Sequence, residues 1–307
     1  MSKPLSLFRF AFTAMASPCE LQLYAESAAS ADIAAGAAIA EVQRIEQKYS
    51  RYRDDSALSG LNRAAGGEPV VVDAETAALL DYADTAWRES EGLFDISSGV
   101  LREAWDFKSG RLPSDDAVNH CLARLGWQKL QWSSPSLQLP AGMQLDFGGF
   151  GKEYAADRAA ECCLQRGIHH GLVDLGGDIR LIGPHPDGRP WQIGIRDPRD
   201  PEHALAVLPL KQGALASSGD YERYMVVDGQ RYSHILDPRR GWPVETPMRS
   251  VSVVAPLCLL AGTGATVAML QGRDGAPGWL QALGLPHVWI DAEGQWGGSL
   301  QAEVSPG

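Results

Sequence analysis

Four absences narrow the field. The sequence has no C-x-x-C pair, and its five cysteines (Cys19, Cys121, Cys162, Cys163, Cys258) are an odd number, so neither a disulfide framework nor a zinc site is indicated. Positive charge is scarce. With 27 Lys+Arg against 38 Asp+Glu the formal net charge is -11, which opposes non-specific binding to a nucleic-acid backbone or an anionic membrane. No run is long and apolar enough to span a bilayer, so membrane insertion is not expected. The two common phosphate cradles are missing as well. Gly151-Lys152 has no glycine at position 146 and carries Glu153 where a P-loop needs Ser or Thr, and no G-x-G-x-x-G follows a strand.

What remains is an ordinary globular composition, 45% hydrophobic and 21% charged over 307 residues, long enough for a sizeable core in one large domain or two intimately joined ones. At the start, Lys3 precedes an apolar run that ends at Cys19, the outline of a lipoprotein signal. Arg9 interrupts that run and Pro18 is a poor residue before a lipidated cysteine, so a mature first strand and a cytoplasmic location are expected.

Leu7, Phe10, Phe12, Leu21 and Leu23 alternate well enough for one or two opening strands. Ala35, Ile39, Val42, Ile45 and Tyr49 then share one face of a helix over 29–49. Asp73 can cap a helix running to about Ser90, with Gly92 beyond its end. From Met143 to Phe147 the pattern predicts a strand, then a glycine turn at 148–151, then a helix over 152–165 ended by Gly167. Short strands follow at 172–175, 179–182, 191–195, 205–208, 224–227 and 250–254, and a last helix from near Pro256 to Gly272. Helices among mainly hairpin-spaced strands argue for an α+β fold.

Three segments could carry chemistry. The glycine turn at 148–151 opens a helix whose unpaired N–H groups and dipole suit a phosphate. Val173-Asp174-Leu175-Gly176-Gly177-Asp178 is a carboxylate-rich turn, and Tyr232-Ser233-His234-Ile235-Leu236-Asp237-Pro238 ends a strand with a histidine. Read singly, each fits a structural role equally well: a plain turn, a tight hairpin with solvated aspartates, a core histidine.

Read together, they resemble the ApbE family of FAD:protein FMN transferases from about Met15 to Gly272. Met15-Ala16-Ser17-Pro18 is similar to the opening M-G-T-P. Ser50-Arg51-Tyr52-Arg53 with Ser56, Leu58, Ser59 and Asn62 is similar to S-x-Y-x-x-x-S-x-[LI]-S-x-L-N, and Gly92 to Ile96 with Gly99 to G-x-F-D-x-x-x-G. The stretch from Leu145 to Asp157, LDFGGFGKEYAAD, stands beside L-D-L-G-G-I-A-K-G-Y-A-A-D, and Val173 to Ile179, Ser218 to Tyr221 and Ser233 to Pro238 complete the series.

The resemblance implies one ApbE-like, T-fold-related α+β domain over 1–307, with the flavin in a cleft between two lobes. It carries the flavin contacts over to Met15, Tyr52, Leu93, Phe94, Asp95, Asp146, Lys152 and Leu236. Met15, Tyr52 and Phe94 offer polarizable or aromatic surface to a flat ring, and Lys152 offsets negative charge. His234 is implied as the base that activates a Ser or Thr hydroxyl of an acceptor protein. A Mg²⁺ ion is implied at Gly149, Thr266 and Gly262.

One departure stands out. Where the family carries A-D-A-x-x-T-A, this chain has Ala261-Gly262-Thr263-Gly264-Ala265-Thr266-Val267, so Gly262 occupies the place of a metal-binding Asp. Restoring it by Gly262→Asp is expected to set a carboxylate one helical turn before Thr266 at little cost. The activity implied is FMN transfer from FAD to the acceptor with release of AMP. Two other readings stay open: a non-enzymatic FAD binder serving as flavin carrier or redox assembly factor, and an FAD pyrophosphatase giving FMN and AMP.

Overall fold

The structure, a computed structural model, describes residues 4–198, 200–221, 223–244, 248–300 and 303–304. Its centre is an eight-stranded sheet in the spatial order Ser6–Ala14, Ser17–Ala25, Gly171–Leu175, Asp178–Gly183, Ala214–Gly219, Met248–Ala255, His287–Asp291 and Trp296–Gly298. Every neighbouring pair is antiparallel. Alternation along the strands splits their side chains between two cores, as a pleated backbone requires. Leu21, Leu23, Val173, Ala214, Ala216, Val251 and Val253 face the larger one. Leu172, Leu181, Leu215, Val288 and Ile290 point the other way, onto the hairpin of Trp191–Asp197 and Asp200–Leu210.

Among the described residues six α-helices accompany the sheet: α1 (Ala28–Tyr49), α2 (Ala57–Arg63), α3 (Ala74–Glu89), α4 (Asp115–Ala123), α5 (Gly151–Leu164) and α6 (Cys258–Ala282). Four start on a side-chain cap. Ser27, Ser56, Asp73 and Ser114 each accept from the backbone N–H three residues on, satisfying a donor the helix cannot. α5 has no such cap at Phe150. It lends one to α6 instead, because the Asp157 carboxylate accepts from the N–H groups of Cys258 and Leu259 at 2.9 and 3.0 Å. α1, α5 and α6 lie over the larger core, and buried alanines on all three let backbone and sheet approach closely. A third core gathers Val100, Leu101, Trp105, Cys121, Leu125 and Met225 away from the sheet.

The opening strands, α1, α3, α5 and the strands expected at 172–182, 191–208, 224–227 and 250–254 all form. Cys19 lies buried in the second strand, opposite Phe12, and Lys3 lies outside the described residues. Met143–Phe147 forms no strand. Its backbone is paired by a side chain: Asn62 donates to the Leu145 carbonyl at 3.0 Å and accepts from the Leu145 N–H at 2.7 Å. The helix begun at Cys258 ends at Gly272, as expected. Gly272 breaks the helical path with φ 72°, and the chain resumes the helix through Ala282. The central strand Ala214–Gly219 reads ALASSG, without the β-branched residues that signal a strand; α6 packs across it, which favours small side chains.

Candidate functional site

The Asn62 bracket aims the next residue, Asp146. Its carboxylate is held on both oxygens, by Arg51 Nη1 at 2.8 Å and by the Gly148 N–H at 2.9 Å, while Arg102 stands 3.5 Å away. A side chain at Gly99 would come within 2.5 Å of the Asp146 Cβ, so glycine there makes the approach possible. Arg102 also donates at 2.7 Å to the hydroxyl of Tyr52, a residue 77% exposed.

Beside this arginine pair the glycine turn begins. The ring of Phe94 lies 3.6 Å from where a Gly149 Cβ would stand and 6.0 Å, centre to centre, from Phe150, which is buried against Phe147. Leu93 is buried next to it, and the Phe94 N–H is held by Ser90 Oγ at 2.9 Å. Asp95 has a different task. One carboxylate oxygen accepts from the N–H and hydroxyl of Ser97, the other from the Trp127 N–H, so it fixes the loop that presents Leu93 and Phe94.

Lys152, on the first turn of α5, pairs with buried Asp178 at 2.8 Å. Its Nζ is also 3.5 Å from the Cβ position of Gly176, which abuts the Ser17 side chain. The opening block and the Val173–Asp178 hairpin therefore meet at this lysine. Gly176 and Gly177 have φ of 66° and 95°, the left-handed turn that favours glycine. Met15 and Ala16 turn the first hairpin with φ of 50° and 59°, and the Met15 N–H donates to Glu46 at 2.8 Å.

On α6, Thr266 is half-buried and shares a hydrogen bond of 2.9 Å with Ser218. Gly262, one turn earlier, is buried, and its vacant side faces Glu153 of α5: an added Cβ would lie 2.5 Å from Oε1 and 2.8 Å from Cδ. The expectation that Gly262→Asp is tolerated at little cost is corrected by this contact, because a carboxylate already fills the place. Burial, with the charge of Asp178 second, raises the Glu153 carboxyl above its ordinary range, and Lys152 opposes the rise. Burial also raises Asp157 and Asp174, against hydrogen bonds from Leu259 and Gly177 respectively. Among the described residues no group of three His, Cys, Asp or Glu is placed to hold a metal. The oxygens at hand are a Glu153 carboxylate oxygen with no hydrogen-bond partner and the Thr266 hydroxyl.

Leu236 packs on the third core, and His234 lies two residues before it. The His234 Nδ1 lies 2.9 Å from the Arg223 carbonyl, an acceptor only, so this nitrogen carries the proton and a neutral ring keeps its lone pair on Nε2. Leu236 packs with Trp105 and Trp242, and Trp105 donates to the Gly241 carbonyl at 2.8 Å, which ties this segment to the one following Gly92. Sequence reasoning assigned no site role to Arg51, Asp178, Ser218 or Glu153, although each lies in a segment named above, and no motif pointed to Arg102. For Glu153 a signal existed, since the family string has glycine where this chain has Glu.

The family model of the ApbE family matches residues 15–289. The FAD:protein FMN transferase of Chlamydia pneumoniae is 36% identical over 234 residues, covering 74% of this chain and 72% of its own. That of Treponema pallidum (strain Nichols) is 34% identical over 276 residues, covering 83% and 76%. Among solved structures, the ApbE protein of Thermotoga maritima MSB8 matches with a TM-score of 0.88 at 30% identity over 96% of this chain and 97% of its own. Flavin transferase ApbE from Vibrio cholerae matches with a TM-score of 0.86 at 26% identity over 98% of each.

Proposed function

The chain belongs to the ApbE family, and from that premise we propose that it is an FAD:protein FMN transferase, moving FMN from FAD to a Ser or Thr hydroxyl of a partner protein and releasing AMP. The observation that carries this reading is a convergence. Segments as far apart in the chain as Ser17, Lys152 and Gly176–Asp178 meet at the start of α5, and Arg51, Gly99 and Asp146 meet beside it. A core-packing role alone does not call for a lysine, an arginine pair and an exposed tyrosine around one glycine turn.

In this reading the flavin ring lies on Phe94, Tyr52 and Met15, with Leu93 and Leu236 adding apolar surface and Asp146 a fixed acceptor. Asp95 acts through the loop it braces. Lys152 and the positive N-terminal end of α5 take the charge of the pyrophosphate. His234 receives the proton of the acceptor hydroxyl on Nε2 as that oxygen forms a bond to the FMN-side phosphorus. The bond from that phosphorus to the bridging oxygen breaks, and AMP leaves with the oxygen. A Mg²⁺ ion, when bound, neutralises charge developing on the phosphates. Thr266, the backbone at Gly149 and the ground beside Gly262 would hold it, and hard oxygen donors there suit that ion.

Substituting His234→Ala or Lys152→Ala tests these roles. AMP release should fall ~10²–10⁴-fold for the first, as for a lost general base, with thermal unfolding unchanged. Normal turnover by both variants would show the two segments to be structural.

A further inference from the structure

Glu153 is a buried carboxylate in an unusual position. Its residue is 9% exposed, and Oε2 has no hydrogen-bond partner among the described residues. Neighbouring carboxylates are provided for: Asp178 pairs with Lys152 at 2.8 Å, and Asp157 with Arg180 at 3.0 Å while also capping α6. A buried carboxylate oxygen left without a partner is costly, and such a group is normally paired, protonated or bound to a metal. The other end of the carboxylate presses on Gly262, at 2.5 Å from the point where a side chain of residue 262 would begin. Any residue but glycine at 262 would displace it.

We propose that Glu153 is the anionic ligand of the divalent cation in this site, reaching from α5 into the space that Gly262 leaves on α6, one helical turn from Thr266. The inference rests on the transferase reading and deepens it, because it assigns the cation a carboxylate from a different helix than the resemblance implies. Glycine at 262 and glutamate at 153 are then one device. The first makes room on α6, and the second fills it with the hard oxygen that Mg²⁺ prefers.

Mn²⁺ serves as the probe, followed by electron paramagnetic resonance on the full chain with and without FAD, and displaced by Mg²⁺. Wild type is expected to bind it. The near-isosteric Glu153→Gln should weaken Mn²⁺ binding by more than the roughly 10–100-fold typical of losing an outer-shell partner, while FAD titration and thermal unfolding show a folded, flavin-binding protein. The exchanged pair Glu153→Gly with Gly262→Asp, which moves the carboxylate to α6, should recover most of the binding. Wild-type Mn²⁺ affinity in Glu153→Gln, no Mn²⁺ uptake by wild type, or a folded exchanged pair without uptake would overturn the proposal. Failure of all variants and wild type to bind FAD would overturn the transferase reading itself.

Discussion

At residue 262 the absence of a side chain does as much as the presence of one elsewhere. An aspartate put there alone meets the carboxyl of Glu153 in a buried space, and two carboxylates so placed cannot both carry their charge without loss. Gly262→Asp should therefore destabilise the protein by on the order of 3 kcal/mol, read as a lower thermal midpoint, and adding Glu153→Gly should return most of it. An unchanged midpoint for the single variant would mean that Glu153 swings clear without cost. At this scale the sequence is legible by pieces. The two family strings, with K-G-Y against Lys152-Glu153-Tyr154 and A-D-A against Ala261-Gly262-Thr263, each carry half of the exchange. Their facing one another across 109 positions of chain is a tertiary fact that no spacing rule supplies. Asp95 teaches the converse: a family position identified from sequence turns out to spend both oxygens on Ser97 and Trp127.

Between elements, hydrogen bonds from side chains do the joining. Asn62 of α2 stands in for a neighbouring strand at Leu145, and its two bonds are the support on which Asp146 is aimed. Asn62→Ala leaves both backbone groups without their partner, which should cost about 2 kcal/mol and weaken FAD binding in a fluorescence titration; full FAD affinity would detach Asp146 from the flavin site. A second junction ties three helices. Glu75 of α3 accepts from Arg44 and Lys48 of α1 and from Tyr154 of α5. Burial works to raise its carboxyl, but these three bonds outweigh burial and bring it from 4.5 down to about 2. Since the folded value is depressed, the stabilisation is present above the ordinary carboxylate range and is lost as pH falls toward 2. Glu75→Gln should thus cost about 1 kcal/mol at neutral pH after allowance for solvent screening, with the gap to wild type closing below pH 4.5 in acid unfolding. A gap independent of pH would point to packing rather than charge. Periodicity made α1 readable in sequence, the Asp73 cap α3, and the glycines at either end α5; the strand Ala214–Gly219 was not, because its small residues answer to the helix lying on it.

For the whole molecule, an α+β class followed from the order of patterns, whereas the strand order of the sheet did not, since it joins Ser17–Ala25 to Gly171–Leu175 across 145 positions. That pairing is what brings the first hairpin to the glycine turn of α5 and makes one site from scattered blocks. Transfer of FMN to protein can be followed in one incubation. Purified protein is given FAD and Mg²⁺, with or without an acceptor polypeptide modified by an ApbE relative, and AMP is measured beside covalent FMN on the acceptor. AMP is expected only when the acceptor is present, in equal amount to FMN bound through phosphate to its Ser or Thr. AMP and free FMN without acceptor, or no AMP under either condition, would contradict transfer to protein.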